Sequence, residues 1–144
     1  MALRLNHYSI RTTDLAASKV FYEKVLGMVD GPRPNFPFPG NWMYIGDTSL
    51  IANAVVHLIG IDPKDPSGLK QYLGEREEST LKGSGAVDHI AFFHEGLKAT
   101  HEHLKANGVS FTERTVPSIG LHQLFLLDPS GVTVELNFPA HEVA

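Results

Sequence analysis

The sequence predicts an α+β fold in which two βαβββ modules form a curved mixed sheet. Two observations carry this. The order strand, helix and three strands is written twice along the chain. Aligning His7 with His89 also aligns Leu15 with Leu97, an offset of 82 residues. A repeat of this length means two copies of one supersecondary unit, each with an apolar sheet face that it cannot cover alone. Two such sheets close around a shared interior with the helices outside.

In the first copy, Leu5 to Arg11 is a short strand-like run. Asp14 caps a helix that carries Leu15, Phe21, Tyr22, Val25 and Leu26 on one face and ends at Gly27. The strands Gly27 to Gly31, Trp42 to Gly46 and Ala54 to Ile59 follow. In the second copy, the strand Ala86 to Phe93 leads to a helix from Leu97 to Ala106 that stops at Asn107-Gly108. Its three strands are Val109 to Arg114, Leu121 to Leu127 and Val132 to Phe138. The expected organisation is one domain over residues 1–144, with modules at 4–59 and 86–138. The polar connection at 60–85 is long for a bare linker and is expected to hold a short helix near Leu69 to Leu73 that serves as a lid.

Composition narrows the function classes. The chain has 144 residues, 42% hydrophobic and 19% charged, enough for a real core. A net charge of -4 gives no basic face for nucleic acid. No apolar stretch approaches the roughly 20 residues that cross a bilayer. The opening residues lack the basic patch and apolar run of a leader, so a cytoplasmic location is expected. Eight histidines stand beside no cysteine, so any metal is held by nitrogen and oxygen.

Four donors fall at matching places in the repeat. His7 and His89 lie on the first strand of each copy, and His57 and Glu135 lie on the last. A histidine among apolar neighbours is ordinarily a packed or solvated side chain, and Glu135 between Val134 and Leu136 has an outward-facing alternative, since side chains alternate along a strand. Neither accounts for all four matching across the repeat. The symmetry places four donors near one interior axis, and imidazole with carboxylate suits zinc, nickel, cobalt or iron.

The run from Asn6-His7-Tyr8-Ser9-Ile10-Arg11 to Leu26-Gly27-Met28 resembles the opening of glyoxalase I-type proteins. Asp88-His89-Ile90-Ala91-Phe92 and Asp128-Pro129-Ser130-Gly131-Val132-Thr133-Val134-Glu135-Leu136 resemble the second-module motifs of the same vicinal-oxygen-chelate superfamily of glyoxalases, bleomycin resistance proteins and extradiol dioxygenases. The resemblance covers nearly the whole chain apart from Gly31 to Gly40 and Gly60 to Gly85. It implies one divalent ion (zinc, nickel, cobalt, manganese or iron(II)) on His7, His89 and Glu135. His57 is then either a fourth ligand or a base, where glyoxalase I has a glutamate that is both. It implies a small-molecule substrate with adjacent oxygens, a homodimer, and a lyase, isomerase or epimerase reaction by proton transfer, with His57 and Glu135 as catalytic residues. Arg11 matches a position that holds a substrate carboxylate in glyoxalase I; a surface arginine at a strand end is its other reading. Ring-cleaving dioxygenases of the superfamily carry a tyrosine three residues before the Asp-Pro turn, where this chain has Phe125. A metal-free resistance protein on the same scaffold need not keep all four donors. Trp42, Phe125 and His122 are expected at the substrate, although His122 has the opposite strand parity to Gln123 and Phe125 and either face is open to it.

Overall fold

The computed structural model describes residues 5–85 and 87–143. The expected starts of the two modules, residues 4 and 86, lie outside these. The chain divides into two compact units, Met1–Leu81 and Lys82–Ala144.

The first unit runs β1 (Tyr8–Thr12), α1 (Leu15–Val20), β2 (Val29–Gly31), β3 (Gly40–Tyr44), β4 (Ala54–Gly60) and α2 (Ser67–Leu73). Its strand order is β1-β4-β3-β2, with β1 parallel to β4 and the other pairs antiparallel. The second unit runs β5 (His89–Phe93), α3 (Leu97–Ala106), β6 (Thr112–Val116), β7 (Leu121–Leu127) and β8 (Thr133–Pro139). Its order, β5-β8-β7-β6, repeats the first with the same single parallel pair. The α+β architecture and the two-fold repeat are therefore present. Among the described residues no helix is long and apolar enough to cross a membrane.

Local chemistry sets the boundaries. The Asp14 side chain accepts from Ala17 N at 3.0 Å and starts α1. The expected single helix to Gly27 instead changes to a π turn over Phe21–Val25. Leu26 N bonds Phe21 O at 3.2 Å, the i to i+5 spacing of such a turn. Gly27 then takes φ +72 and closes the helix, as Gly108 does with φ +67 after α3. Val109 N bonds back to Leu104 O at 2.9 Å, so β6 starts at Thr112 and not at Val109. Likewise β1 starts at Tyr8 rather than Leu5, because its one neighbour, β4, is first met at the Tyr8–Val56 pair. The helix expected near Leu69 to Leu73 is α2, and it falls within the first unit.

In each unit one sheet face is covered by apolar residues of the helical segment. Tyr22, Met43, Val56 and Leu58 are fully buried in the first, as are Leu104, Leu124, Val134 and Phe138 in the second. The amide groups of Gly96 and Leu97 at the start of α3 donate to Glu142 Oε2 at 3.0 and 2.7 Å, so a side chain from the chain's last turn caps a helix 45 residues earlier.

The stretch Phe36-Pro37-Phe38-Pro39 is loop packing. Phe36 and Phe38 stack at 5.3 Å and both tilt onto Tyr72 of α2 at 5.2 Å. Phe38, Ile59 and Leu69 form a small buried cluster. A Cβ on Gly68 would lie 1.8 Å from Pro37 O, so only glycine lets α2 seat here. Gly68→Ala is expected to cost about 1–3 kcal/mol through forced displacement of this contact. An unchanged unfolding midpoint would show that α2 does not depend on its seat against Pro37.

Candidate active site

In the first unit the β3–β4–β1 register puts Trp42, His57 and Ser9 side by side, so the three share one sheet face. Arg11 has the same parity two residues on. His7 precedes β1 and lays its ring on His57, centroids 3.8 Å apart and planes 13° from parallel. Trp42 covers the other side of His57 at 3.9 Å and 9°. His57 is thus the middle ring of a three-ring stack. Its Nε2 donates to Ala54 O at 3.0 Å, which leaves the lone pair of the neutral ring on Nδ1. Burial first, and then the neighbouring His7 and Arg33 charges, lower the pKa of His57 to about 4, with the Ala54 carbonyl partly opposing them. His7 Nδ1 pairs with Asn6 Oδ1.

Arg11 Nη2 donates to Thr80 Oγ1 at 2.9 Å and to Thr80 O at 3.4 Å. Its Nη1 is buried with no hydrogen-bond partner among the described residues. Leaving a buried charged donor unmet costs more than an ordinary hydrogen bond gains.

In the second unit the turn Asp128-Pro129-Ser130-Gly131 sets the geometry. Asp128 Oδ1 accepts from Ser130 N at 2.9 Å and Val132 N at 2.8 Å, and Gly131 takes φ +82. This fixes the β7–β8 register so that Phe125 stands opposite Glu135 and Gln123 opposite Asn137, on the sheet face that also carries His89. Glu135 is buried. Its Oε1 accepts from Gln123 Nε2 at 2.5 Å, and its Oε2 accepts weakly from Asn137 Nδ2 at 3.4 Å. Gln123 is itself held by Arg114 Nε at 2.8 Å, and the Arg114 guanidinium lies 5.1 Å over the Phe125 ring. Phe125 meets His89 edge-on at 6.2 Å.

His89 donates through Nδ1 to Asp88 Oδ1 at 2.8 Å, which in the neutral ring leaves the Nε2 lone pair directed at Glu135 Oε2, 3.3 Å away. With the neutral ring two acceptors face each other at that distance, an arrangement satisfied by a shared proton or by a metal ion. The separation also equals the roughly 3.3 Å between two donors on a tetrahedral ion with bonds of about 2.0–2.1 Å. A carboxylate holding the far nitrogen of a ligating imidazole is the usual outer support of such a site.

A sequence profile of the Glyoxalase/Bleomycin resistance protein/Dioxygenase superfamily matches residues 4–136. The chain belongs to this superfamily. It is 28% identical over 141 residues to "Glyoxylase I 4" of Arabidopsis thaliana, covering 92% of this chain and 68% of that one. Its fold matches a glyoxylase/bleomycin resistance protein/dioxygenase domain from Frankia sp. EAN1pec with a TM-score of 0.66 at 17% identity, over 96% of this chain and 99% of that one. It also matches the lactoylglutathione lyase of Agrobacterium tumefaciens with a TM-score of 0.62 at 18% identity, over 96% and 95% of the two chains.

The superfamily motifs thus lie in the repeated sheets, and each unit presents several of the anticipated residues on one face. The first unit brings His7, His57 and Trp42 together, and the second brings His89, Glu135 and Phe125 together. His122 corrects the sequence reading. It pairs with Phe138, on the side of the sheet opposite Glu135, and there binds Thr115 and Glu113. Register is the reason, since β7 residues of even number face the helix. The sequence reading missed Gln123 and Asn137, the two amides that hold the Glu135 carboxylate.

Proposed function

We propose that this chain is a metal-dependent vicinal-oxygen-chelate enzyme that catalyses proton transfer next to a carbonyl, in the manner of a glyoxalase-like lyase, isomerase or epimerase. The observation that carries this is the His89–Glu135 pair, an exposed imidazole and a buried carboxylate facing one another at 3.3 Å with Asp88 behind the imidazole. His89 and Glu135 are the donors that would hold the ion, and the resemblance to the superfamily implies His7 as a third. His57 fits poorly as a fourth ligand. Its ring is near-parallel to His7, so their in-plane lone pairs do not meet at a point, and its Nε2 is already given to Ala54 O. Its neutral ring suits the acceptance of a proton at Nδ1.

When bound, the ion supplies Lewis-acid stabilisation of negative charge developing on two neighbouring substrate oxygens. The residues do the rest. Arg11 Nη1 grips an anionic group of the substrate, Trp42 and the stacked imidazoles give it a flat apolar wall, and Gln123 with Asn137 keeps the Glu135 carboxylate fixed. Phe125 brings no hydroxyl to the place where ring-cleaving relatives are expected to have a phenol, which favours proton transfer over oxygen chemistry. The protein is expected to be a homodimer acting on a small molecule.

Elemental analysis of the purified protein tests this directly. The expected result is at least one equivalent of nickel, cobalt or zinc, one of them lost in His89→Ala, and no oxygen uptake with simple catechols after anaerobic loading with iron(II). Oxygen uptake with a catechol would transfer the chain to the dioxygenases. With an anionic substrate, Arg11→Ala should raise KM about ten-fold or more and lower kcat less, since that contact exists before and during the chemical step. Equal losses in kcat and kcat/KM would place Arg11 at the transition state instead.

A further inference from the structure

The helix side of the second sheet carries a second group of potential ligands. His101 on α3, Glu113 on β6 and His122 on β7 place one donor atom each within 4.8 Å of the others. His101 Nε2 lies 2.7 Å and His122 Nε2 2.9 Å from the same carboxylate oxygen, Glu113 Oε2. His122 and Glu113 belong to the β6–β7 hairpin, where Thr115 pairs with His122 and Glu113 is its diagonal neighbour on that face. None of the three shares the face of Glu135. We infer that His101, Glu113 and His122 form a second divalent-metal site, taking zinc or a similar borderline ion, that staples α3 to the β6–β7 hairpin.

The chemistry of the set supports this. Two imidazoles and one carboxylate are a known three-ligand zinc pattern that leaves a position for water. The water position is open here, because the Glu113 side chain is 41% exposed while that of His122 is 8% exposed. Each imidazole is oriented from behind. His122 Nδ1 lies 2.8 Å from Thr115 Oγ1, a hydroxyl that accepts from Nδ1–H when Nε2 binds a metal and donates to Nδ1 when Nε2 holds a proton. Phe111 stacks on the His101 ring at 5.4 Å and 12°, which fixes the plane of its lone pair. The present spacings of 2.7 and 2.9 Å are those of shared protons. An ion replacing those protons needs the donors to move apart only to about 3.3 Å, a shift within reach of half-buried side chains.

The test uses the full chain carrying His89→Ala, which removes a donor of the proposed catalytic centre, titrated with cobalt(II) alone. Tetrahedral d–d absorption should grow to about one equivalent, and saturating zinc should raise the unfolding midpoint by roughly 5–10 °C. Adding Glu113→Gln should lower cobalt affinity at least ten-fold and abolish the zinc-induced rise, and Thr115→Val should lower affinity about 10–100-fold. His101→Ala, a partly exposed position, gives the same comparison if Glu113→Gln does not fold. A His89→Ala protein that binds no cobalt, or a Glu113→Gln derivative that binds it as its parent does, would overturn the site and mark the three residues as an ion triad only. Either result leaves the Glu135 centre to be judged separately.

Discussion

Glu135→Gln is expected to abolish divalent-ion binding at the proposed catalytic centre while leaving the metal-free fold about as stable as the parent. The carboxylate is buried, and its Oε2 faces the His89 nitrogen at 3.3 Å. With the amide, Oε1 still accepts from Gln123, and an N–H takes the place of Oε2 and donates to the imidazole, at the loss of the weak 3.4 Å bond from Asn137. An acceptor–acceptor contact becomes a hydrogen bond, worth about 1 kcal/mol. The ion loses its one anionic donor at the same time. Affinity for zinc or nickel should fall by more than the roughly 10–100-fold that loss of an outer partner costs, and Asp88→Asn should fall within that range. Equilibrium dialysis in a Glu113→Gln background reads both without interference from the second site. Parent-like affinity in Glu135→Gln would mean that the His89–Glu135 pair is structural. Stability kept where function is lost is the usual relation at an active site.

The repeat could be read from sequence because each of its signals is local. Alternation of apolar residues marks a strand, Asp14 marks a helix start, and Gly27 and Gly108 mark helix ends through the positive φ they adopt. The same is true of His57, His89 and Glu135, since a strand position fixes a side chain's parity, whereas His7 lies just before β1 and not on the first strand. Features that join distant segments could not be read in this way. The cap that Glu142 gives to α3 links residues 45 apart and has no local signature. The π turn after α1 follows from how Phe21 and Tyr22 must both reach the core, which is a packing property.

The face of His122 lay between these cases. Asp128–Gly131 is a readable turn, and a strand pair that closes on Leu127 and Thr133 pairs residues whose numbers share parity. Carried along β7, that register places His122 with Phe138 and Gln123 with Asn137. His122 then belongs to the helix side, where His101 awaits it. His101 and His103 stand two apart on one helix and point away from each other, and the partner of His101 lies on the hairpin and not on its own helix. A ligand set drawn from a helix and two strands shows in a sequence only after the register is assigned.

His57→Gln separates proton transfer from metal binding. If His57 accepts the substrate proton at Nδ1, the variant keeps its ion and loses turnover by about 10²- to 10⁴-fold, the usual contribution of a general base. The stack of His7, His57 and Trp42 keeps its shape with a planar amide in the middle, so the loss reports on chemistry more than on packing. The metal-free protein offers a second readout. Burial and the neighbouring His7 hold the His57 pKa at about 4, below its ordinary 6.5. Between those values an unfolded chain binds a proton here and the folded chain does not, so stability falls as pH drops from about 6.5 towards 4. That slope should be shallower in His57→Gln, seen as an unfolding midpoint that responds less to acid than the parent's does. A variant with full turnover, an intact metal and an unchanged acid slope would show His57 to be a packing residue, leaving the proton to another group on the same face.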